Sequence, residues 1–378
     1  MKIKHCRICH NKFFLEPLLH YENMPKSAQY LPDSFSLKTD KGIVLKVYQC
    51  SGCGVVQLIN EPVFYYKEVI RSSSFSKEMI NFRKKQFDKF INKYNLKAKK
   101  IIEIGCGKGE YLSIVSKFDI KAYGLEYSLQ SVEYCRKKGL NVFRGFIDNS
   151  NYVIKNSPFN AFYILSFLEH IPQPNIFLRG LYNNLTDEAI GIIEVPNFNM
   201  ILKEKLFSEF IRDHIFYFTK STLSTTLAIN GFDIIECKEI WHNYIISAIV
   251  KKRKKLDISD FCNFKNKLIK QIEDFLTKFK DKKVAVWGAG HQAFTILSLI
   301  KTRKNIEYII DSATFKQQKF SPATHIPIVS PDTLNSKPAD AIIIMAGSYS
   351  DEIANILNKK FNKKLTVAIV RNSELQLI

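Results

Sequence analysis

The chain has 378 residues, 46% of them hydrophobic and 24% charged, a composition that excludes a mainly disordered chain and suits two or three domains. No apolar run reaches the roughly 18 residues of a membrane-spanning helix, and MKIKHCRICHNK lacks the apolar stretch of a secretory signal, so a cytoplasmic protein without membrane contacts is expected. Fifty-six Lys and Arg against 36 Asp and Glu give +20, but the positive runs (Lys84-Lys85, Lys97 to Lys100, Arg136 to Lys138, Lys251 to Lys255, Lys359 to Lys364) are scattered, which favours solvated faces over a nucleic-acid site.

Residues 1–60 hold two CxxC pairs, Cys6/Cys9 and Cys50/Cys53; Cys106, Cys135, Cys237 and Cys262 are isolated. Two such pairs place four thiolates on facing knuckles, which suits a tetrahedral structural Zn²⁺ with no open position. His10 is then not needed as a ligand. A helix is predicted over Lys77 to Tyr94, with Met79, Ile80, Phe82, Phe87, Phe90 and Ile91 as its apolar positions. From residue 99 apolar strands alternate with helices. The strands are Lys100 to Ile104, Lys121 to Leu125, Asn141 to Phe143, Ala161 to Leu165 and Ala189 to Glu194. Gly109 to Phe118 and Ser128 to Lys138 read as the helices between them. A charged amphipathic stretch, about 251–282, reads as a linker helix. A second strand–turn–helix starts at Lys283, followed by strands Ile306 to Ile310 and Ala341 to Met345. The expected fold is α/β in three parts: a small zinc-binding subdomain (1–60), a Rossmann-like domain with a helical lead-in (61–250), and a linker helix with a second Rossmann-like α/β domain (251–378).

The segment Ile101-Ile-Glu103-Ile-Gly105-Cys-Gly107-Lys-Gly109-Glu110 runs from an apolar strand into closely spaced glycines. Glycines let the backbone turn sharply and let a ligand approach it. Glu103 precedes the first glycine by two residues. Glu126 ends the next strand, where a carboxylate accepts both hydroxyls of a ribose. This pattern resembles the class I S-adenosylmethionine-dependent methyltransferases. The resemblance implies that Asp148 either reaches the adenine amino group or is a solvent-exposed loop carboxylate. It also implies that Leu165 and Ser166, at the end of the fourth strand, border the methyl group. His170, in the same loop, reads as a helix cap outside the catalytic set.

The whole arrangement, four-Cys segment, methyltransferase domain and C-terminal α/β domain, resembles the bacterial sugar-nucleotide C-methyltransferases. The C-terminal segments that carry the likeness are Val284-Ala-Val-Trp-Gly288-Ala-Gly290-His291, Ile309-Ile-Asp311, Thr324-His325-Ile326-Pro327-Ile328 and Asp351-Glu352-Ile353. Alone, Gly288, Gly290 and Asp311 suggest a dinucleotide site; the resemblance implies a degenerate domain that helps hold a sugar nucleotide. It further implies methylation of a carbon beside the ketone of a nucleotide-diphosphate-linked deoxysugar, through an enolate. His214 is then the base, Asp213 its carboxylate neighbour and Tyr217 a donor to the oxyanion. The chain departs from the family at Ile211, where a Tyr is usual, and at Asp213, where a Glu is usual. Val69, Ile70 and Arg71 precede the Ser72-Ser73-Ser74 stretch where a Tyr is usual, and Ala346 to Ser350 lacks a Trp-Asn pair. Methylation of a sugar hydroxyl oxygen is the alternative on the same scaffold, and an RNA-modifying or nucleic-acid-binding protein is a third reading. A monomer or small homo-oligomer is expected.

Overall fold

The computed structural model describes residues 4–68, 76–360, 365–372 and 374–378; the Ser72 to Ser74 stretch, with Val69, Ile70 and Arg71, lies outside them. The chain divides into two compact units, 1–254 and 255–378. The sequence-derived boundary near residue 60 falls inside the first.

In the first unit, β1 (Leu19–Met24), β2 (Ile43–Gln49) and β3 (Val56–Leu58) form an antiparallel ribbon. There follow α1 (Lys77–Lys93), β4 (Lys100–Ile104), α2 (Leu112–Val115), β5 (Lys121–Glu126), α3 (Leu129–Lys137), β6 (Val142–Arg144), β7 (Phe159–Leu165), α4 (Pro174–Asn183), β8 (Leu185–Pro196), α5 (Phe198–Lys203), β9 (Phe216–Tyr217), α6 (Lys220–Ile229), β10 (Phe232–Ile240) and β11 (Ile245–Lys252). The main sheet has seven strands in the order β10-β11-β8-β7-β4-β5-β6. Strands β4 to β8 pair in parallel; β11 joins antiparallel to both β8 and β10. The strand β9 belongs elsewhere: it adds to β3 and completes a four-stranded sheet with the N-terminal ribbon.

Alternation explains why β4 and β7 read as unbroken apolar runs. Ile102, Ile104, Phe162 and Ile164 face one buried cluster, while Ile101, Ala161, Tyr163 and Leu165 face another. A parallel sheet covered on both faces has no wet side to encode. The helix α1 begins at Ser76, whose hydroxyl accepts the Met79 N–H at 3.1 Å. It buries Phe87, Phe90 and Ile91 on the second cluster.

Three expectations change in extent. The helix expected over Gly109 to Phe118 is helical only at Leu112–Val115, because Gly109 takes a positive φ and tight three-residue turns follow Val115. The fifth strand spans twelve residues rather than Ala189 to Glu194, since the edge hairpin β10–β11 pairs along it. The linker stretch is helical only over α7 (Ser259–Lys278), with residues 245–252 in the sheet.

After α7 the second unit runs β12 (Val284–Trp287), α8 (His291–Leu299), β13 (Ile306–Ile310), β14 (Ile328–Val329), α9 (Thr333–Ser336), β15 (Ala341–Ile344), α10 (Ser350–Lys360), β16 (Thr366–Arg371) and β17 (Glu374–Leu377). Its six-stranded sheet, ordered β14-β13-β12-β15-β16-β17, is parallel except for β17. Strand order reverses at β12, which leaves a crevice beyond the carboxyl ends of β12 and β15. Among the described residues, no helix is long and apolar enough to cross a membrane.

Candidate active site

The glycine loop leaves β4 at the centre of the main sheet. Gly105, Gly107 and Gly109 all take positive φ. At Gly109 a side chain would also collide, its Cβ falling 2.6 Å from Leu140 Cδ1. Glu126, buried at the end of β5, accepts the Gly107 N–H at 2.8 Å and the Ser128 N–H at 2.9 Å. The loop is thus pinned by the same carboxylate expected to meet a ribose. Glu103 is fully buried, with Tyr163 Oη at 3.2 Å from its carboxylate. Beside the loop, Tyr127, Gly145, Phe146, Ile147, Phe167 and Phe177 line a narrow aromatic slot. Asp148 lies half exposed at its rim, 3.8 Å from Lys67 Nζ, which also rests 5.1 Å from the Phe146 ring. Buried carboxylates, open backbone and aromatic walls fit an adenosine cofactor that carries a positive charge.

Behind the loop, Arg83 and Glu194 form a buried ion pair at 2.5 Å; Glu194 also accepts from Gln86 and from Ser247, the latter at 3.1 Å. The guanidinium packs 4.9 Å from the Tyr111 ring. Arg83→Lys keeps the charge but loses the fork and the stacking. It is expected to cost about 1.5–3 kcal/mol, the worth of a hydrogen bond to a charged group, read as a lower midpoint in urea unfolding.

A cleft of about 430 Å³ opens where β7 ends, and its lining includes Leu165, Ser166, Asp213 and His214. Its polar lining also includes Tyr65, Tyr66, Glu169, His170, Glu209 and Tyr244. Ser166 sits in the left-handed region at φ 48° as the chain leaves the sheet. The Asp213 carboxylate accepts Tyr65 Oη at 2.5 Å and the Ala28 N–H at 3.1 Å. The Asp213 carbonyl accepts His170 Nδ1 at 2.8 Å, so that ring carries its proton on Nδ1. The His170 and His214 rings lie 4.9 Å apart. Burial and the neighbouring His170 push His214 down to about 3, which keeps its imidazole neutral. Burial raises the Glu169 carboxyl to about 8 and lowers His170. Arg212, the residue before Asp213, donates from Nε to the Glu61 carbonyl at 3.0 Å and fastens the chain over the cleft.

Tyr217 is placed differently from the expectation. Its hydroxyl is engaged with backbone of Ile211 and Glu209, and its ring packs on Phe210 and Phe198 in a separate apolar cluster. It supports the segment that carries His214 and does not line the cleft. Sequence reasoning missed Glu169 as a cleft residue and took His170 for a cap. The available signal was an acid–imidazole pair immediately after a central strand, where open α/β sheets gather ligand contacts.

The four N-terminal cysteines converge, with Cys6 and Cys53 sulfurs 3.7 Å apart and Cys9 and Cys50 sulfurs 3.3 Å apart. Each knuckle closes with a positive-φ residue, His10 after Cys9 and Gly54 after Cys53. Gln57 Nε2 donates to Cys6 Sγ at 3.1 Å, and backbone N–H groups of Ile8 and Gly52 point at Cys6 and Cys50. Sulfurs so spaced and so surrounded by donors fit one tetrahedral ion bound by thiolates.

In the second unit, Trp287, Gly288, His291, Lys316, Gly347 and Tyr349 line a cavity of about 1310 Å³. Gly288 takes φ 116°, and a Cβ there would meet Met345 O at 2.6 Å. The Asp311 carboxylate is held by the Ala289 and Ala313 N–H groups and by Lys316 Nζ at 2.9 Å. Asp311 thus pins the Gly288–Gly290 loop as Glu126 pins the loop of the first unit, and Lys316 neutralises it.

Residues 77–237 match the family model of a methyltransferase domain, and residues 251–370 that of the C-methyltransferase C-terminal domain. The chain is 20% identical over 384 residues to the C-methyltransferase NovU of Streptomyces niveus, covering 93% of this chain and 91% of that protein. Similar solved structures include an S-adenosylmethionine-dependent methyltransferase from Clostridium acetobutylicum ATCC 824, at 15% identity over 46% of this chain and 92% of that one, with a TM-score of 0.39. Another, from Aquifex aeolicus, is 17% identical over 46% of this chain and 98% of that one, with a TM-score of 0.35.

Proposed function

We propose that this chain, an S-adenosylmethionine-dependent methyltransferase with the domain order of the sugar C-methyltransferases, methylates a carbon beside the ketone of a nucleotide-diphosphate-linked deoxysugar. The observation that carries the reading is the cleft itself. Its lining includes a half-buried imidazole, His214, held neutral, together with Leu165 and Ser166 at the end of β7. A carbon next to a ketone loses a proton to a well-placed base because the enolate is resonance-stabilised.

S-adenosylmethionine, when bound, supplies an electrophilic methyl group on a sulfonium sulfur. Glu126 and the glycine loop hold its adenosine end, and the buried Glu103 sets the loop's entry. His214 would take the carbon-bound proton, and the carbanion would bond to the methyl carbon as that carbon's bond to the sulfonium sulfur breaks, with the neutral thioether S-adenosylhomocysteine as the leaving group. Asp213, the residue before His214, is fixed through its carboxylate by Tyr65 and Ala28 and is read as the negative charge that steadies the imidazolium as it forms. Tyr65 Oη donates to Asp213 and Tyr244 Oη to Glu209, so Tyr66, which also lines the cleft, is read as the donor to the enolate oxygen; Tyr217 takes the supporting role its contacts describe. The cavity of the second unit, with Lys316 at its wall, is read as a site for the nucleotide diphosphate. The four thiolates are read as holding a structural Zn²⁺.

The test incubates the protein with S-adenosylmethionine and dTDP-, UDP-, GDP- and CDP-linked 4-keto sugars in H₂O and D₂O, followed by mass spectrometry. A carbon-bound methyl, with exchange of the proton beside the ketone, is the expected result. A methyl ether formed without that exchange would establish oxygen methylation instead. The loop carries its own prediction. Gly109→Ala forces an alanine into the left-handed region, at about 1–2 kcal/mol, and against Leu140. Calorimetric titration should show S-adenosylmethionine binding weakened by about tenfold or more.

A further inference from the structure

Glu169, His170 and His214 each bring one ligand atom into the cleft, and these atoms lie within 4.8 Å of one another. Glu169 and His170 close a short turn after β7, while His214 comes from the segment before β9. Two hydrogen bonds fasten these pieces together: Ile215 N–H to the Glu169 carbonyl at 2.9 Å, and His170 Nδ1 to the Asp213 carbonyl at 2.8 Å. The second bond also decides the tautomer. A carbonyl only accepts, so Nδ1 holds the proton and the Nε2 lone pair is left for a ligand. That nitrogen lies 3.9 Å from Glu169 Oε1. An imidazole anchored through its far nitrogen to a backbone carbonyl is the usual arrangement of a metal-binding histidine.

Glu169 supplies the independent observation. Its side chain is 1% exposed, lines the cleft, and its Oε2 has no hydrogen-bond partner among the described residues. A buried carboxylate oxygen without a donor costs stability unless a cation or a proton meets it. Nothing in the methyl-transfer chemistry described above uses it.

We infer that Glu169, His170 and His214 form a binding site for one first-row divalent transition metal ion such as Zn²⁺, separate from the four-thiolate site. Two imidazoles and one carboxylate suit Zn²⁺, Co²⁺ or Ni²⁺ rather than Mg²⁺ or Ca²⁺. Bond lengths of about 2.0–2.2 Å ask the three donors to close in by about an ångström, which side-chain rotation supplies. The ion keeps open positions toward the cleft. It also takes the lone pair of His214. Metal occupancy and proton abstraction by His214 therefore exclude each other, and the ion is an inhibitor of transfer. This consequence, unlike the site itself, rests on the function proposed above.

The test uses the full chain with its four-thiolate site loaded with zinc, titrated with Co²⁺. One further ion is expected to bind with visible d–d absorption and no thiolate-to-cobalt charge-transfer band. Glu169→Gln and His170→Ala should each weaken that binding at least tenfold, while circular dichroism stays that of the parent. No second ion, binding unaffected by either variant, or a charge-transfer band would overturn the site. The same titration is followed by methyl transfer. Loss of turnover in step with occupancy is expected. Binding without loss of turnover would leave the metal site standing and remove His214 as the base.

Discussion

His214→Ala is expected to lower turnover by about 10²–10⁴-fold, the usual contribution of a positioned general base, with S-adenosylmethionine affinity unchanged. The two effects separate because of where the residue sits. His214 lines the cleft on the segment before β9, whereas the loop at Gly105 to Gly109 is pinned by Glu126 from β5. Truncating the imidazole leaves the Asp213 carboxylate bonded to Tyr65 and Ala28, and leaves the Ile215 N–H on Glu169, so the segment keeps its course. A base acts only in the transition state, so kcat and kcat/KM for the sugar should fall together. Single-turnover measurement of methyl transfer and calorimetric titration of the cofactor check both halves. Equal turnover in the variant would remove His214 from the chemistry. A parallel loss of cofactor binding would mean that the segment had collapsed rather than lost a base.

Chelation of the ion proposed for the four thiolates, or Cys50→Ser, is expected to abolish turnover and lower Tm by on the order of 10 °C. The knuckles lie far from the glycine loop in sequence, but the second of them, Cys50/Cys53, is directly upstream of β3. Cys50 N–H bonds to the Val55 carbonyl, and Val56 and Gln57 pair with Tyr217 and Phe216 in β9. Gln57 reaches back from that strand to Cys6. His214 stands two residues before β9. A ribbon loosened at the cysteines therefore frees the strand that positions the base, while Phe216 leaves the main core. Calorimetry before and after chelation, with zinc added back, reads the outcome. A metal-free protein with the parent Tm and turnover would show that the thiols do not organise the fold.

The glycine loop, the paired cysteines and the strands β4, β5, β7, β12 and β13 were legible in the sequence. Each is a local pattern, either a spacing of special residues or an apolar run between turn signals. The cleft was only half legible. Asp213 and His214 came from a resemblance, and nothing local marks Tyr65 as the partner of Asp213, 148 positions away. Tyr217 came from the same resemblance as a donor to the oxyanion, yet packing on Phe198 and Phe210 decides where its hydroxyl goes. The hairpin β10–β11 escaped because Phe232–Ile240 mixes charged and apolar residues, as an antiparallel edge strand does. The pairing of β9 with β3 could not be foreseen: a two-residue strand carries no periodicity.

That pairing restricts how relatives of this chain can recombine. A chimaera that exchanges residues 1–60 alone would bring a foreign β3 against the resident β9, and residues 210–219 would have to travel with the graft to keep the edge complementary. A crossover between residues 254 and 255, by contrast, follows the division between the two compact units. Exchange of the second unit should therefore leave a folded chain and exchange of the cysteine-bearing end alone should not, even though the latter looks like the smaller and more separable part.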